Sequence, residues 1–130
     1  MARRAAFLLA LLLAIAPVAG SAADPASPVL LGQVSRVTDG DTIQVTLPSG
    51  RLRVRLASID APERGQPGGR DATRALAARL KGRQVGLEVV EQRDGFDRAG
   101  AIVWLGDENV NEWLVRQGYA WAFRGRYLHD

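Results

Sequence analysis

The dominant signal along the chain is a two-residue alternation of apolar and polar positions. Between Thr42 and Leu47, Ile43, Val45 and Leu47 fall on one side and Thr42, Gln44 and Thr46 on the other. That is the period of a strand with one buried face. Arg51 to Ser58 repeats it, with Leu52, Val54 and Leu56 inward and Arg51, Arg53 and Arg55 outward. Gly32 to Val37 reads as a first strand, through Val34 and Val37. Thr38-Asp39-Gly40-Asp41 and Pro48-Ser49-Gly50 are turn segments between these strands, so the three form a meander. Asp60 to Gly69, with Pro62, Pro67 and glycines, reads as a loop. Over Arg70–Leu80 the period changes: Ala72, Ala75, Leu76 and Leu80 make a helical stripe, ended by Lys81-Gly82. Gln84–Glu91 and Ala99–Leu105 return to strand patterning. Asn109–Gln117 reads as a second short helix, with Val110, Trp113 and Leu114 on one face and Gly118 after its end. Three strands, a helix, then two strands is the order of an OB-fold. The expected class is therefore mainly β with helices: a five-stranded barrel plus two short helices.

The first residues follow a different pattern. Arg3-Arg4 precedes an unbroken apolar run from Ala5 to Ala16, then Pro17 and the small residues Ala19-Gly20-Ser21-Ala22-Ala23. This is the layout of a secretory signal peptide, expected to be cut after Ala22 or Ala23. The run falls short of the roughly 20 residues a membrane helix needs. The expected organisation is a signal peptide over 1–23, a linker over 24–31 and one domain over 32–130. The product is expected to be exported, periplasmic or secreted, with no stable membrane association once the signal is removed.

Composition then narrows the chemistry. The chain of 130 residues has no cysteine and a single histidine, His129. Thiolate zinc sites, cysteine nucleophiles and disulfide scaffolds are excluded, and Ser-His-Asp catalysis is disfavoured. Chemistry must come from carboxylates, arginines and hydroxyls. Seventeen basic residues against 14 acidic give +3, but the signal segment contributes Arg3 and Arg4 and no acid. Global charge therefore argues little for nucleic-acid binding; a basic patch would have to be local.

Four features carry candidate chemistry. Asp39-Gly40-Asp41-Thr42 sets carboxylates on a hairpin turn. Arg55 lies near a strand end. Asp60-Ala61-Pro62-Glu63 sets two more carboxylates at the head of a loop. Arg98 follows Asp97 just before the last strand. Hard cations take oxygen ligands, which Asp41 and Asp60 supply. Arginines stabilise the charge that builds on a phosphodiester under attack, and Glu63 is placed to activate or orient a water. Each piece also has a plain structural reading. Thr38 to Thr42 is a turn, Arg51, Arg53 and Arg55 are a solvated strand face, and Asp60 to Glu63 is a helix start with Asp as cap. One geometric condition stands: strict alternation puts Arg55 and Asp60 on opposite faces, so the strand must end or bulge near Ser58.

Taken together, these segments resemble the staphylococcal nuclease-like (thermonuclease) family. The resemblance runs from about Val34 to Tyr127. It rests on Val37-Thr38-Asp39-Gly40-Asp41-Thr42, on Val54-Arg55-Leu56-Ala57-Ser58-Ile59-Asp60-Ala61-Pro62-Glu63, on Gln66-Pro67, on Asp94 through Arg98, and on Val110 through Trp121. It implies an OB-fold phosphodiesterase that uses Ca2+ and hydrolyses single- and double-stranded DNA and RNA, leaving 3′-phosphate ends. By the same resemblance, Asp41, Asp60 and the Ala61 carbonyl fall on the metal ligands, Glu63 on the residue that activates or positions water, and Arg55 and Arg98 on the phosphate-binding arginines.

The sequence departs from the family in places. Asp97 replaces a glycine beside Arg98, and is expected to pair with Arg98 or to force a different backbone. Phe96 stands where a tyrosine is common, and Gly68 where many relatives carry an aromatic. The family's third C-terminal helix is expected to be absent from this sequence, which runs to Asp130. The expected state is a monomer, with self-association as the alternative through apolar surface left bare. Trp104, Trp113 and Trp121 are expected to be core or barrel-closing, with base stacking by Trp121, Phe123 or Tyr127 the alternative. Arg124 and Arg126 are candidates for phosphate contact, and Asn111 is expected to be structural. The leading functional reading is a nuclease. The rivals are a weak or inactive nuclease-like module that binds nucleic acid or a protein partner, and a domain that calcium merely stabilises.

Overall fold

The computed structural model describes residues 29–93 and 97–123. Five long strands, β1 (Val29–Asp39), β2 (Thr42–Leu47), β3 (Gly50–Leu56), β5 (Gln84–Glu91) and β6 (Ala99–Leu105), make one sheet. Two-residue pieces, β4 (Ile59–Asp60), β7 (Glu108–Asn109), which pairs with β6, and β8 (Trp121–Ala122), and two helices, α1 (Gly69–Leu80) and α2 (Val110–Arg116), are the other elements among the described residues. The hairpins β1–β2 and β2–β3 form the expected meander, and β1 also pairs with β5, and β5 with β6. A parallel pairing of Val54 with Ala99, Arg55 with Gly100 and Leu56 with Ala101 joins β3 to β6. That pairing closes the sheet into a five-stranded OB-type barrel.

Alternation decides the interior. Ile43, Val45, Val54, Leu56, Val85, Leu87, Ala101 and Val103 are all buried. Ala72, Leu76 and Leu80 of α1 and Val110 and Leu114 of α2 cover the barrel and join the same core. Asn111 is, with Asp41 and Thr42, one of the buried polar residues among those described. Its Nδ2 donates to the carbonyls of Ala57 and Ala101, at 2.9 and 3.1 Å, and its Oδ1 accepts from the Val103 amide at 3.1 Å. It thereby ties α2 to β6 and to the chain leaving β3, the structural role expected of it.

Several expectations are corrected. The linker expected over 24–31 gives way at Val29, because Val29, Leu30 and Leu31 already pair with Glu88, Leu87 and Gly86. The register of β1 against β2 slips twice, at Val34/Arg36 and Val37/Asp39. Such bulges add twist, which lets one strand serve two neighbours around a closed barrel. The third strand ends at Leu56 rather than Ser58. Ser58 has φ 64°, the left-handed region that turns the chain. Asp60 to Glu63 is not a helix start; α1 begins at Gly69, behind Gly68 at φ 81°. Trp121 is not core: its backbone pairs with Asp60, but the residue is 65% exposed, as the barrel is filled by aliphatic side chains. Trp104 and Trp113 are half-buried. Asp97 takes φ 59°, the conformation glycine adopts freely, and its carboxylate holds Arg93 at 3.2 Å.

The expected signal peptide, and Phe96, Arg124, Arg126, Tyr127 and His129, lie outside the described residues. Among the described residues no helix is long and apolar enough to cross a membrane.

Candidate active site

Asp41 sits in the tight turn between β1 and β2. Gly40, beside it, is buried where a Cβ would meet the Cβ atoms of Ala72 at 2.7 Å and Ala61 at 3.0 Å. Only a glycine lets this turn lie against α1 and the Ala61 segment. The Asp41 carbonyl accepts from the Leu56 amide at 2.8 Å. Its carboxylate accepts from the Thr42 hydroxyl at 3.1 Å through Oδ1 and from the Ala61 amide at 2.9 Å through Oδ2. The carboxylate is largely buried, with one hydrogen bond on each oxygen and further lone pairs left to accept.

Arg55 is the hub. The outward strand position expected of it is real, yet its side chain is only 15% exposed because it folds over the strand end. Nη1 donates to the carbonyls of Leu56 at 2.6 Å and Ile59 at 2.9 Å. Nη2 lies 3.4 Å from Oδ2 of Asp41 and 3.5 Å from Oδ1 of Asp60. Two carboxylates thus converge on one cationic nitrogen. The left-handed Ser58 and the pairing of β4 with β8 swing Asp60 back beside Arg55. The geometric condition set by strand alternation is met by that turn.

Glu63 is exposed, and its main chain is pinned by Gln66. The Glu63 amide donates to Gln66 Oε1 at 2.9 Å, the Gln66 amide donates to the Glu63 carbonyl at 2.8 Å, and the Gly69 amide donates to the Gln66 carbonyl at 2.9 Å. Gly69 closes this loop at a position where a Cβ would lie 1.6 Å from the Glu63 carbonyl oxygen. Arg98 is half-buried at the entry to β6. The β3–β6 pairing, with Arg55 opposite Gly100, brings its strand alongside Arg55.

The structure thus brings Asp41, Arg55 and Asp60 into contact, sets Ala61 on Asp41, and leaves Glu63 on the adjoining loop. Sequence reasoning missed Thr42, which fixes the Asp41 carboxylate, and the closures made by Gly40 and Gly69. A Gly-Gly pair before a helix was the one readable sign of close backbone approach. The donor set suits a hard divalent cation: two carboxylate oxygens already share one positive neighbour. Among the described residues no group of three or more His, Cys, Asp and Glu side chains assembles. Such a cation would therefore keep part of its shell for water and substrate oxygens.

Fold and site together define a class: an OB-type barrel with an acid–arginine centre where β3 turns into β4. The model of the family described as "Staphylococcal nuclease homologue" matches residues 53–129. The chain belongs to the staphylococcal nuclease family. It is 41% identical over 111 residues to "Protein ParB" of Escherichia coli, covering 78% of this chain and 62% of that protein. It is 38% identical over 109 residues to "Micrococcal nuclease" of Shigella flexneri, covering 77% and 62%. It is 40% identical over 96 residues to "Thermonuclease" of Staphylococcus intermedius, covering 68% and 57%. The aligned part spans under two thirds of the length of each of these relatives.

Proposed function

We propose that this chain is a metal-dependent nuclease: an exported, calcium-dependent phosphodiesterase that cuts DNA and RNA and leaves 3′-phosphate ends. The observation that carries the reading is the convergence of Asp41, Asp60 and Arg55, two carboxylates within 3.5 Å of one guanidinium nitrogen. The names of the relatives, two of them nucleases, support the same reading.

Asp41, Asp60 and the Ala61 carbonyl would hold the cation, which when bound polarises a phosphoryl oxygen and orients substrate. Arg55 is anchored through Nη1, whereas Nη2 makes only long contacts to the carboxylates. Contacts of that length are weak, so Nη2 is the donor available to a phosphate oxygen. Arg98 is the second guanidinium on the scissile group, and the two stabilise the negative charge that develops there. Glu63 takes a proton from the attacking water or orients it. The water oxygen bonds to phosphorus as the bond to the 5′ oxygen breaks.

The test is incubation of the protein with single-stranded DNA, duplex DNA and RNA, in calcium and in chelator. Calcium-dependent cutting that disappears in Glu63→Gln and Arg55→Ala, with 3′-phosphate ends on the products, is the expected result. Binding without cutting assigns the chain to a non-catalytic module. A calcium-dependent melting temperature with neither binding nor cutting assigns it to a metal-stabilised domain. Export is tested by fractionation of cells expressing the full chain, where a cytoplasmic, uncut product contradicts it.

A further inference from the structure

Six cations gather on the face beside Glu63. On α1, Arg70, Arg74 and Ala77 recur at helical spacing, opposite the buried Ala72, Leu76 and Leu80, and Lys81 follows at the helix C-cap. From Arg70 to Lys81 the stripe runs roughly 16 Å, at about 1.5 Å per residue. Across from it stand Arg36 of β1 and Arg51 of β3. One concavity of about 540 Å³ is lined by Arg36, Arg51, Arg64 and Lys81 together with uncharged residues. A second, of about 420 Å³, is lined by Arg64, Arg70 and Arg74, again without an acid. Arg64 borders both, and it directly follows Glu63 in the chain.

All six cations are exposed, and none of them forms an ion pair with any described residue. Elsewhere Arg79 pairs with Glu108, Arg93 with Asp97 and Arg116 with Glu112, while the exposed Arg53 and Arg83 form no ion pair with a described residue. The near balance of charge over the chain thus leaves a local excess of cations on this face, with Asp71 the neighbouring acid beside Arg64 and Arg70. Uncompensated like charges around a concave surface repel one another and raise the local potential, which attracts a polyanion. Arginine forks match phosphate oxygens.

We infer that this band is a phosphate track, binding the sugar–phosphate backbone of a nucleic acid on the side of the cleavage site that Glu63-Arg64 borders, several nucleotides from the reacting bond. The inference rests on the nuclease reading for the identity of the polyanion. Its contacts are to phosphates, so it adds affinity and length preference without sequence preference.

The experiment is equilibrium binding in chelator, with the purified full chain and fluorescent oligothymidylates of three and 20 nucleotides, over a series of salt concentrations. Each phosphate neutralised contributes about 0.7 to the slope of log affinity against log salt for a single strand. The triple variant Arg70→Gln, Arg74→Gln, Lys81→Gln is expected to lose roughly 2 from that slope. At low salt it should bind the 20-mer at least tenfold more weakly, with the 3-mer little changed. The corresponding Arg70→Lys, Arg74→Lys variant keeps the charge and should keep most of the slope. Arg116→Gln, whose partner is Glu112, should not alter it. An unchanged slope in a folded triple variant overturns the track, whether or not the protein cuts. Equal losses for the 3-mer and the 20-mer overturn it too, as does binding to phosphatidylserine vesicles without binding to the 20-mer. Loss of slope in a protein that never cuts in calcium upholds the track and defeats the nuclease reading.

Discussion

The main-chain N–H of Ala61 donates to Oδ2 of Asp41 over 2.9 Å, and this bond links two loops 20 residues apart in sequence. Both loops carry a candidate metal ligand. Asp41 therefore has a structural duty that Asp60 lacks, since the Asp60 side chain is 56% exposed.

Asp41→Ala leaves the buried Ala61 amide without its acceptor. The expected cost is about 2–3 kcal/mol in urea denaturation with chelator present. Asp60→Ala should stay within about 0.5 kcal/mol of the parent. On the calcium-dependent reading proposed above, both should abolish the rise in melting temperature on adding calcium. Equal stability losses for the two variants would show that the Asp41–Ala61 bond contributes nothing.

Arg55→Lys replaces a fork by a point charge. A single ammonium cannot span the Leu56 and Ile59 carbonyls and still face the carboxylates. The expected loss in single-turnover cleavage is about 10²–10³-fold, the size seen when one preorganised donor to a developing charge is removed. Stability should fall by about 1–2 kcal/mol from the lost carbonyl bonds. A lysine variant that cuts like the parent would mean that charge alone suffices at this position.

Gly69→Ala tests whether Glu63 depends on loop closure. The new methyl group would overlap the Glu63 carbonyl, so the loop must shift, at about 1–3 kcal/mol. Cleavage should fall with it. Glu63→Gln should instead leave denaturation unchanged, because the side chain is exposed, while lowering cleavage by about 10²–10⁴-fold. A Gly69→Ala protein with parental stability and turnover would show that the loop carries no positional constraint.

Asn111→Ala removes three hydrogen bonds from the interior at once. The Ala57 and Ala101 carbonyls and the Val103 amide then lose this partner, which should cost about 2–4 kcal/mol. Asn111→Asp should cost at least as much, since it buries a charge beside two carbonyl oxygens. Activity per folded molecule should survive in both, because the Asn111 side chain bonds to the Ala57, Ala101 and Val103 main chain and not to Asp41, Arg55, Asp60 or Glu63. Denaturation followed in parallel with cleavage separates the two effects.

Much of the barrel was readable because alternation is a local property. Ile43 and Val45, or Val54 and Leu56, announce a buried strand face whatever lies across from them. The candidate residues were equally visible: Asp41, Arg55, Asp60, Glu63 and Arg98 stand in segments whose residue types already point to cations and phosphate. Single elements misled where a second element intervened. Val29–Leu31 looked like linker because nothing local reveals that β5 needs a partner there. Trp121 looked like core because bulk and polarity do not say which way a two-residue strand faces.

The chain's own pattern of side chains thus determined which segments become strands and helices, and which residue types are on hand for chemistry. Their convergence was decided only in three dimensions. A left-handed Ser58 brings Asp60 back to Arg55, the parallel β3–β6 pairing brings the Arg98 strand alongside, and the packing of α1 on β1 assembles a basic band from residues dispersed between positions 36 and 81. Periodicity is set by neighbours within a few residues, whereas a site depends on long-range closure, and closure is a property of the whole barrel.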